Sequence, residues 1–265
     1  MILMRRAALD GAELDEVDKR IVIQGIEPGN GKEQRVTTPV WGGSGSRMTA
    51  EHRDSLDIVI RFTINEKSYR PEERAAVLEA VCAWAAGGGW LTVNYKPGRR
   101  IRVVAVQLPA EGDAATRGVY TIVLRAYGVP YWQADASRIR IAGKSSDARS
   151  FGVPGNRETV MDFEFTNTSG SSISSLTAAA GSSEIVLTGL GLASGETLSI
   201  DHPDTGDRSW LRIRIRGTGG TWRSVYGKRT AGSSNDLTVK PGARTVGFTA
   251  GGAGTAVWSC CGRFG

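Results

Sequence analysis

Residues 58–91 read IVIRFTINEKSYRPEERAAVLEAVCAWAAGGGWL, and this stretch decides the fold. Apolar side chains alternate with other residues from Ile58 to Ile64, which predicts a half-buried β-strand. A helix is predicted over about residues 71–86. Pro71 suits a first helical position because its missing N–H would be unpaired there, and the two glutamates that follow it lie at the positive end of the helix dipole.

The predicted helix has one apolar face and ends at a run of glycines. Gly87–Gly89 stop it, because glycine adopts left-handed backbone angles without steric cost. A new strand is predicted directly afterwards, from Trp90. The face that we expect to pack on a sheet comprises Val77, Leu78, Val81, Trp84 and Ala85. No other stretch predicts a long helix, so one helix on an otherwise β domain organises the chain.

Composition and turn spacing predict a mainly β protein with two domains. The 265 residues include 35 glycines, and short alternating segments recur between Gly, Pro and Asp turns. The composition shifts towards Ser, Arg, Ala and Gly after Ala134, where we predict a boundary region with one short strand at Arg138–Ala142. The expected domains are residues 1–134, a β-sandwich with the packed helix, and residues 135–265, a second β-sandwich without a notable helix.

Charge and cysteine content exclude several classes of protein. The net charge of +6 is spread over both halves without a Lys/Arg run, which argues against sequence-specific nucleic-acid binding. The three cysteines fit no zinc pattern, and we expect them to be reduced thiols. The N-terminus lacks the apolar core of a signal peptide, and no segment predicts membrane insertion.

The sequence contains no recognisable catalytic constellation, and we expect a protein that is not an enzyme and has no cofactor or metal. The two histidines, His52 and His202, have no ligand or triad spacing. Asp162 and Glu164 share one strand face and could form a glycosidase pair, but a solvated strand face is the more ordinary interpretation. Calcium at Asp201, Asp204 and Asp207 stays a further alternative.

Residues 210–216 read WLRIRIR and give the candidate contact residues. Their alternation predicts that the aliphatic side chains face the core and that the arginines form an outer row. We favour a solubilising face for this row, with a basic strip for a partner subunit or an acidic glycan as the alternative. Exposed aromatic side chains could stack on sugars. The candidate partner or glycan contacts are Arg212, Arg214, Arg216, Trp222 and Tyr226.

The order of these features resembles the distal tail protein family of long, non-contractile-tailed bacteriophages. In the first domain the resemblance rests on Arg20–Ile26, Gly43–Met48, the strand Ile58–Ile64, the helix from Arg74 to Ala85, Gly88–Leu91, Pro97–Val103 and Pro130–Trp132. In the second domain it rests on the Pro241-Gly242 turn between Leu237–Lys240 and Thr245–Phe248.

The resemblance implies a structural virion protein. It implies that the first domain forms a homo-hexameric ring at the distal end of the tail, and that a galectin-like second β-sandwich projects outward. The implied partners are the tail tube protein, a tail-associated tip protein and other baseplate or receptor-binding proteins, with DNA passing through the bore without specific binding. Assembly would take place in the host cytoplasm. The alternative is a carbohydrate-binding β-sandwich protein for host-surface adhesion.

Overall fold

The structure is a computed structural model of the chain. It describes residues 5–28, 33–39, 46–53, 55–65, 70–110, 118–127, 129–202 and 211–264. The internal contacts divide the chain into two compact units, with the division between Trp132 and Gln133. Both units consist mainly of antiparallel strands, so the predicted mainly β fold class is confirmed.

The first unit contains nine strands and two helices among its described residues. In chain order they are β1 Ala7–Leu9, β2 Ala12–Glu13, α1 Leu14–Val17, β3 Ile21–Pro28, β4 Glu33–Pro39, β5 Ser46–Arg53, β6 Leu56–Ile64, α2 Pro71–Ala86, β7 Gly89–Val93, β8 Arg99–Gln107 and β9 Tyr120–Ala126. The four-residue helix α1 was not predicted, and its N-terminus has no side-chain cap.

Two antiparallel sheets of the first unit share strand β8. The early residues of β8 pair with β7, which continues to β1 and β2. Its later residues pair with β9, which continues to β6 and β3. A register shift between Ala105 and Gln107 accompanies the change of partner. Strand β6 has the predicted alternation, with Ile58, Ile60 and Phe62 fully buried.

Helix α2 is confirmed over Pro71–Ala86, with Pro71 in its first turn. Its buried face differs from the predicted one at two positions. Arg74 is only 1% exposed and lies among the aliphatic residues of the face. Trp84 is half-buried, and its indole N–H donates a hydrogen bond of 2.8 Å to the carbonyl of Ala12.

The end of α2 depends on glycine at one position in particular. Gly88 has a φ of +59°, in the left-handed region that side chains with a Cβ disfavour. A Cβ at Gly88 would also lie 2.5 Å from the carbonyl oxygen of Val103. Strand β7 therefore follows the helix at once and packs its backbone closely against β8.

Strands β4 and β5 form a two-stranded sheet of their own. They are inserted between β3 and β6, whose ends pair Glu27 with Val59 and Pro28 with Ile58. The two strands thus form an extension of the chain between the end of β3 and the start of β6. The predicted segment Gly43–Met48 reaches this extension, but its residues 43–45 lie outside the described part of the chain.

The second unit continues the β architecture. Its elements are β10 Trp132–Val153, which begins at the last residue of the first unit, β11 Thr159–Val160, β12 Asp162–Asn167, β13 Ile173–Ala180, β14 Ser183–Leu192, β15 Thr197–Asp201, β16 Arg212–Arg216, β17 Trp222–Ser224, a 3₁₀ helix Tyr226–Lys228, β18 Thr238–Val239 and β19 Gly242–Phe264.

Strand β19 is shared by the two main sheets of the second unit. Its residues 246–250 pair with β13, which pairs with β14. Its residues 254–259 pair with β12, which is followed in the sheet by β15, β16 and β17. Aromatic rings fill the core, with the centroid of Phe163 4.5 Å from that of Trp258 and 6.4 Å from that of Phe248.

Two strand predictions in the second unit are wrong in extent. The short strand at Arg138–Ala142 is part of β10, which spans 22 residues where a boundary region was expected. The sequence also predicts two separate strands at Thr245–Thr249 and Ala256–Ser259, whereas both belong to one continuous strand, β19. In both cases pairing with neighbouring strands keeps the residues in an extended conformation, although their own composition favours turns.

Two global features complete the description. None of the helices in the described segments is long and apolar enough to cross a membrane. Cys82, Cys260 and Cys261, which all lie in described segments, form no disulfide. Cys260 is buried, and burial is the main cause that raises the pKa of its thiol to about 12.

Candidate functional site: a polar groove on the second unit

One face of the β19–β12–β15–β16–β17 sheet packs into the core and the other is polar. Alternation places Phe163 and Phe165 of β12 inside, and Asp162 and Glu164 on the opposite face. Strand register then determines which polar side chains are neighbours. The pairs are Asp162 with Ser259, Glu164 with Val257 and Ser199, Asp201 with Arg212, Ser199 with Arg214, and Arg216 with Thr197 and Trp222.

Two of the three arginines of β16 are engaged by one carboxylate. Asp201 accepts a hydrogen bond from Arg212, and its Oδ2 lies 3.1 Å from a terminal nitrogen of Arg214. The hydroxyl of Ser199 donates a further bond of 3.2 Å to the same carboxylate. The Nε–H groups of Arg212 and Arg214 are buried and have no acceptor among the described residues. The arginine row is therefore neutralised in part within the protein, rather than presented whole to solvent.

Trp222 lies over the arginine row. The centroid of its ring is 4.3 Å from the guanidinium carbon of Arg214 and 5.5 Å from that of Arg216, within the range of cation–π contact. Both arginines belong to the same face of β16, so they support the ring from the side of the sheet. Trp222 itself remains 41% exposed and presents an aromatic surface to solvent.

His202 follows β15 and is held between two carboxylates. Its backbone N–H and its ring Nδ1 each lie 3.1 Å from Oδ1 of Asp162, and Nε2 contacts Asp236. Burial lowers the pKa of this imidazole, but the hydrogen bonds and charges of Asp162 and Asp236 outweigh burial and raise the pKa to about 9. The ring is accordingly an imidazolium at neutral pH, and it donates to both carboxylates.

These side chains surround a groove of about 340 Å³. The volume is at the small end of the range of about 300–1,000 Å³ that ligand sites occupy. The groove is lined by Arg138, Asp162, Glu164, Ser199, Asp201, His202, Arg212, Arg214, Trp222, Val257 and Ser259. The lining can donate and accept hydrogen bonds at many positions and offers one aromatic ring.

The predicted contact residues divide into two groups in the structure. Arg212, Arg214 and Trp222 line the groove, and Arg216 lies beneath the Trp222 ring. Tyr226 is 47% exposed in the 3₁₀ helix, with the guanidinium of Arg229 5.3 Å from its ring centroid, and does not line the groove. The candidate glycosidase residues Asp162 and Glu164 do share the groove, but Asp162 is committed to His202.

The calcium alternative at Asp201 lies partly outside the described residues. Asp204 and Asp207 lie outside the described residues, and Asp201 is occupied by arginine. Within the described segments no group of three or more His, Cys, Asp or Glu side chains could hold a metal ion. Sequence reasoning missed the place of His202 and of Arg138 in the groove. The polar alternation of β12 puts Asp162 and Glu164 on the groove face, but it gives no sign of His202 or Arg138, which lie outside β12 and β15.

The sequence matches no protein-family profile and no curated protein. A solved structure that it resembles is SPP1 Dit, described as a paradigm of the hub adsorption apparatus in phages that infect Gram-positive bacteria. The TM-score is 0.66 at 12% sequence identity, and the match covers 96% of this chain and 98% of that chain. This chain is Dit-like in fold.

A second solved structure gives a weaker match to the Dit-like chain. It is a chain of the phage p2 baseplate in its activated conformation with Sr, at a TM-score of 0.49 and 9% identity, with 97% of each chain covered. The match to SPP1 Dit spans both β units described above. The polar groove belongs to the second of them.

Proposed function

We propose that this Dit-like chain is a structural distal tail protein of a bacteriophage, a hub that joins the tail tube to the tail tip or baseplate. The observation that carries the proposal is the fold match to SPP1 Dit over 96% of the chain, which includes both units. The hub role described for that protein needs interfaces and no catalytic residues. The sequence features that resemble the distal tail family support the same role.

The extension formed by β4 and β5 favours assembly with a second copy. Two strands that pair only with each other, as these do among the described residues, are marginally stable in water. A neighbouring subunit that packs on the extension would stabilise it. In a closed ring every copy can cover the extension of the next through one repeated heterologous contact.

Exposed apolar side chains of the first unit support the same contact. Val104 and Val106 of β8 are 45% and 41% exposed. Val119, just before β9, is 58% exposed. Burying such side chains in a subunit interface removes apolar surface from water, which favours association.

The proposed assembly is a homo-hexameric ring with an open centre through which DNA passes without specific contacts. The tail tube protein would dock on one side of the ring. A tail-associated tip protein and other baseplate or receptor-binding proteins would dock on the other side and on the second unit. The chain would then be a virion component at the distal end of the tail, assembled in the host cytoplasm.

Light scattering of the purified chain, with negative-stain images of the same peak, tests this function. Six-fold rings with an open centre, single or stacked in pairs, are the expected result. Because tail proteins can need their neighbours to assemble, the measurement is repeated with the tail tube protein and the tip protein of the same phage. A chain that stays monomeric both alone and in the presence of the tail tube and tip proteins contradicts the proposed function.

A further inference from the structure

The groove on the second unit carries balanced charge. Its lining contains three carboxylates, three arginines and the imidazolium of His202, and a fourth carboxylate, Asp236, balances that imidazolium from outside the lining. Asp201 is paired with Arg212 and Arg214, and His202 is paired with Asp162 and with Asp236. Glu164 and Arg138 are exposed groups of opposite sign in the same lining. A strongly anionic ligand would meet Glu164 and Asp162 and would compete with Asp201 for the arginines, so the groove favours an uncharged ligand.

The hydrogen-bonding groups of the groove suit hydroxyl groups. Carboxylates accept, guanidinium groups donate, and the hydroxyls of Ser199 and Ser259 do both. A ligand hydroxyl is itself both a donor and an acceptor, and can therefore bridge neighbouring groups of either kind.

Trp222 adds an apolar surface at the edge of this polar lining. Arg214 and Arg216 contact its ring from the side of the sheet, and 41% of the residue is exposed. A pyranose ring has hydroxyls around its rim and C–H groups on its face. An aromatic ring beside clustered carboxylate, guanidinium and hydroxyl groups matches both parts of such a molecule.

We propose that the groove is a binding site for a neutral saccharide, with Trp222 as the stacking platform and with Glu164 and Arg214 among its hydrogen-bonding partners. This site goes beyond the hub function and does not depend on it. The structure assigns no place in it to Tyr226, which lies on the 3₁₀ helix away from the groove lining. The ligand class also differs from the acidic glycan that the arginine spacing alone suggests.

Saturation-transfer difference NMR on the full chain tests the site, because it detects weak binding without multivalent display. The probes are a panel of free, neutral hexose oligosaccharides and a matched panel of sialylated and sulphated ones. Transfer to at least one neutral oligosaccharide, with the C–H protons of one sugar face affected most, is expected. Binding restricted to the anionic panel, or to neither panel, overturns the proposal.

Matched variants then place the binding in the groove. Trp222→Ala removes the platform and should weaken binding of the responding oligosaccharide by about tenfold or more. Tyr226→Ala also removes an exposed aromatic ring that contacts an arginine, but outside the groove, and should leave binding unchanged. Equal loss in the two variants overturns the assignment. Circular dichroism confirms that both variants are folded.

A second pair of variants tests the polar side of the site. Glu164→Gln changes an exposed carboxylate in the groove, and Glu184→Gln changes an exposed carboxylate of β14 on the other sheet. The first should lower affinity several-fold and the second should not. Unchanged binding in Glu164→Gln overturns its role. The ring measurement is independent, so failure of the hub function and failure of the saccharide site are distinguishable.

Discussion

Asp162 accepts two hydrogen bonds from His202 with one oxygen atom, from the backbone amide and from ring Nδ1, each at 3.1 Å. The same ring contacts Asp236 through Nε2. The histidine thereby connects the start of β12 to the segment before β18. Only the imidazolium form donates from both ring nitrogens, so the connection depends on the protonation of His202.

The stability of the second unit should therefore fall in mildly alkaline solution. The pKa of His202 is raised from 6.5 to about 9 in the folded chain. A raised pKa contributes stability that is fully present below pH 6.5 and is lost as the pH rises to about 9. The loss should amount to no more than about 3 kcal/mol. Urea unfolding at a series of pH values measures it.

The variant His202→Gln provides the control for this pH dependence. It should be less stable than the parent chain at pH 6, and the difference between the two should shrink towards pH 9.5. Other groups that titrate in this range affect both proteins alike. A difference that stays constant over the whole range would show that the protonation of His202 does not stabilise the fold.

The glycines after helix α2 allow a paired test of the helix end. Gly88→Ala places a Cβ 2.5 Å from the carbonyl oxygen of Val103 at a φ of +59°. We expect a loss of about 2 kcal/mol or more in the free energy of unfolding. Gly87→Ala adds a Cβ with no atom within 4 Å at a φ of −72°. Its effect should be close to zero, and equal losses would contradict the steric argument.

The exposed valines of β8 should matter for assembly and not for folding. Val104→Asp combined with Val106→Asp places two charges in the proposed subunit contact, and we expect rings to be lost in light scattering and images. Val22→Asp is the control, because Val22 is also exposed, at 37%, but on β3. Rings that survive the double change exclude Val104 and Val106 from the contact.

The extension β4–β5 should be dispensable for the stability of the isolated chain. The ends of β3 and β6 already pair through Pro28 and Ile58, so a short Gly-Ser turn can replace residues 29–55. We expect a folded monomer with a Tm within a few degrees of the parent, which no longer forms rings. Loss of folding in differential scanning calorimetry would show that the extension belongs to the core of the unit.

Local sequence patterns predicted the elements whose buried face follows from the spacing of their own apolar residues. Helix α2 and strand β6 are both found where their periodicity places them. Leu211, Ile213 and Ile215 face the core, as the alternation of β16 predicts. The burial of Arg74 was not predictable in this way, since a charged residue is normally an argument for the solvent side of a helix.

The extent of β10 and β19 and the position of the groove depend on pairing between strands that are distant in the sequence. Most of β10 is exposed, so its sequence resembles a linker, and only pairing extends it to 22 residues. The glycines of β19 suggested a turn, whereas Gly254 allows the strand to pass the ring of Phe165. The groove likewise depends on the register of β12, β15 and β16, which brings Asp201 to its arginines. A single sequence does not give that register.

The position of β19 has a consequence for biosynthesis. This strand completes both main sheets of the second unit, and it is the last of the unit to be translated. While residues 242–264 are still inside the ribosome, β12 and β13 each lack a neighbour on one edge, and unpaired edges promote aggregation. The two main sheets of the second unit can therefore be completed only after β19 has emerged from the exit tunnel.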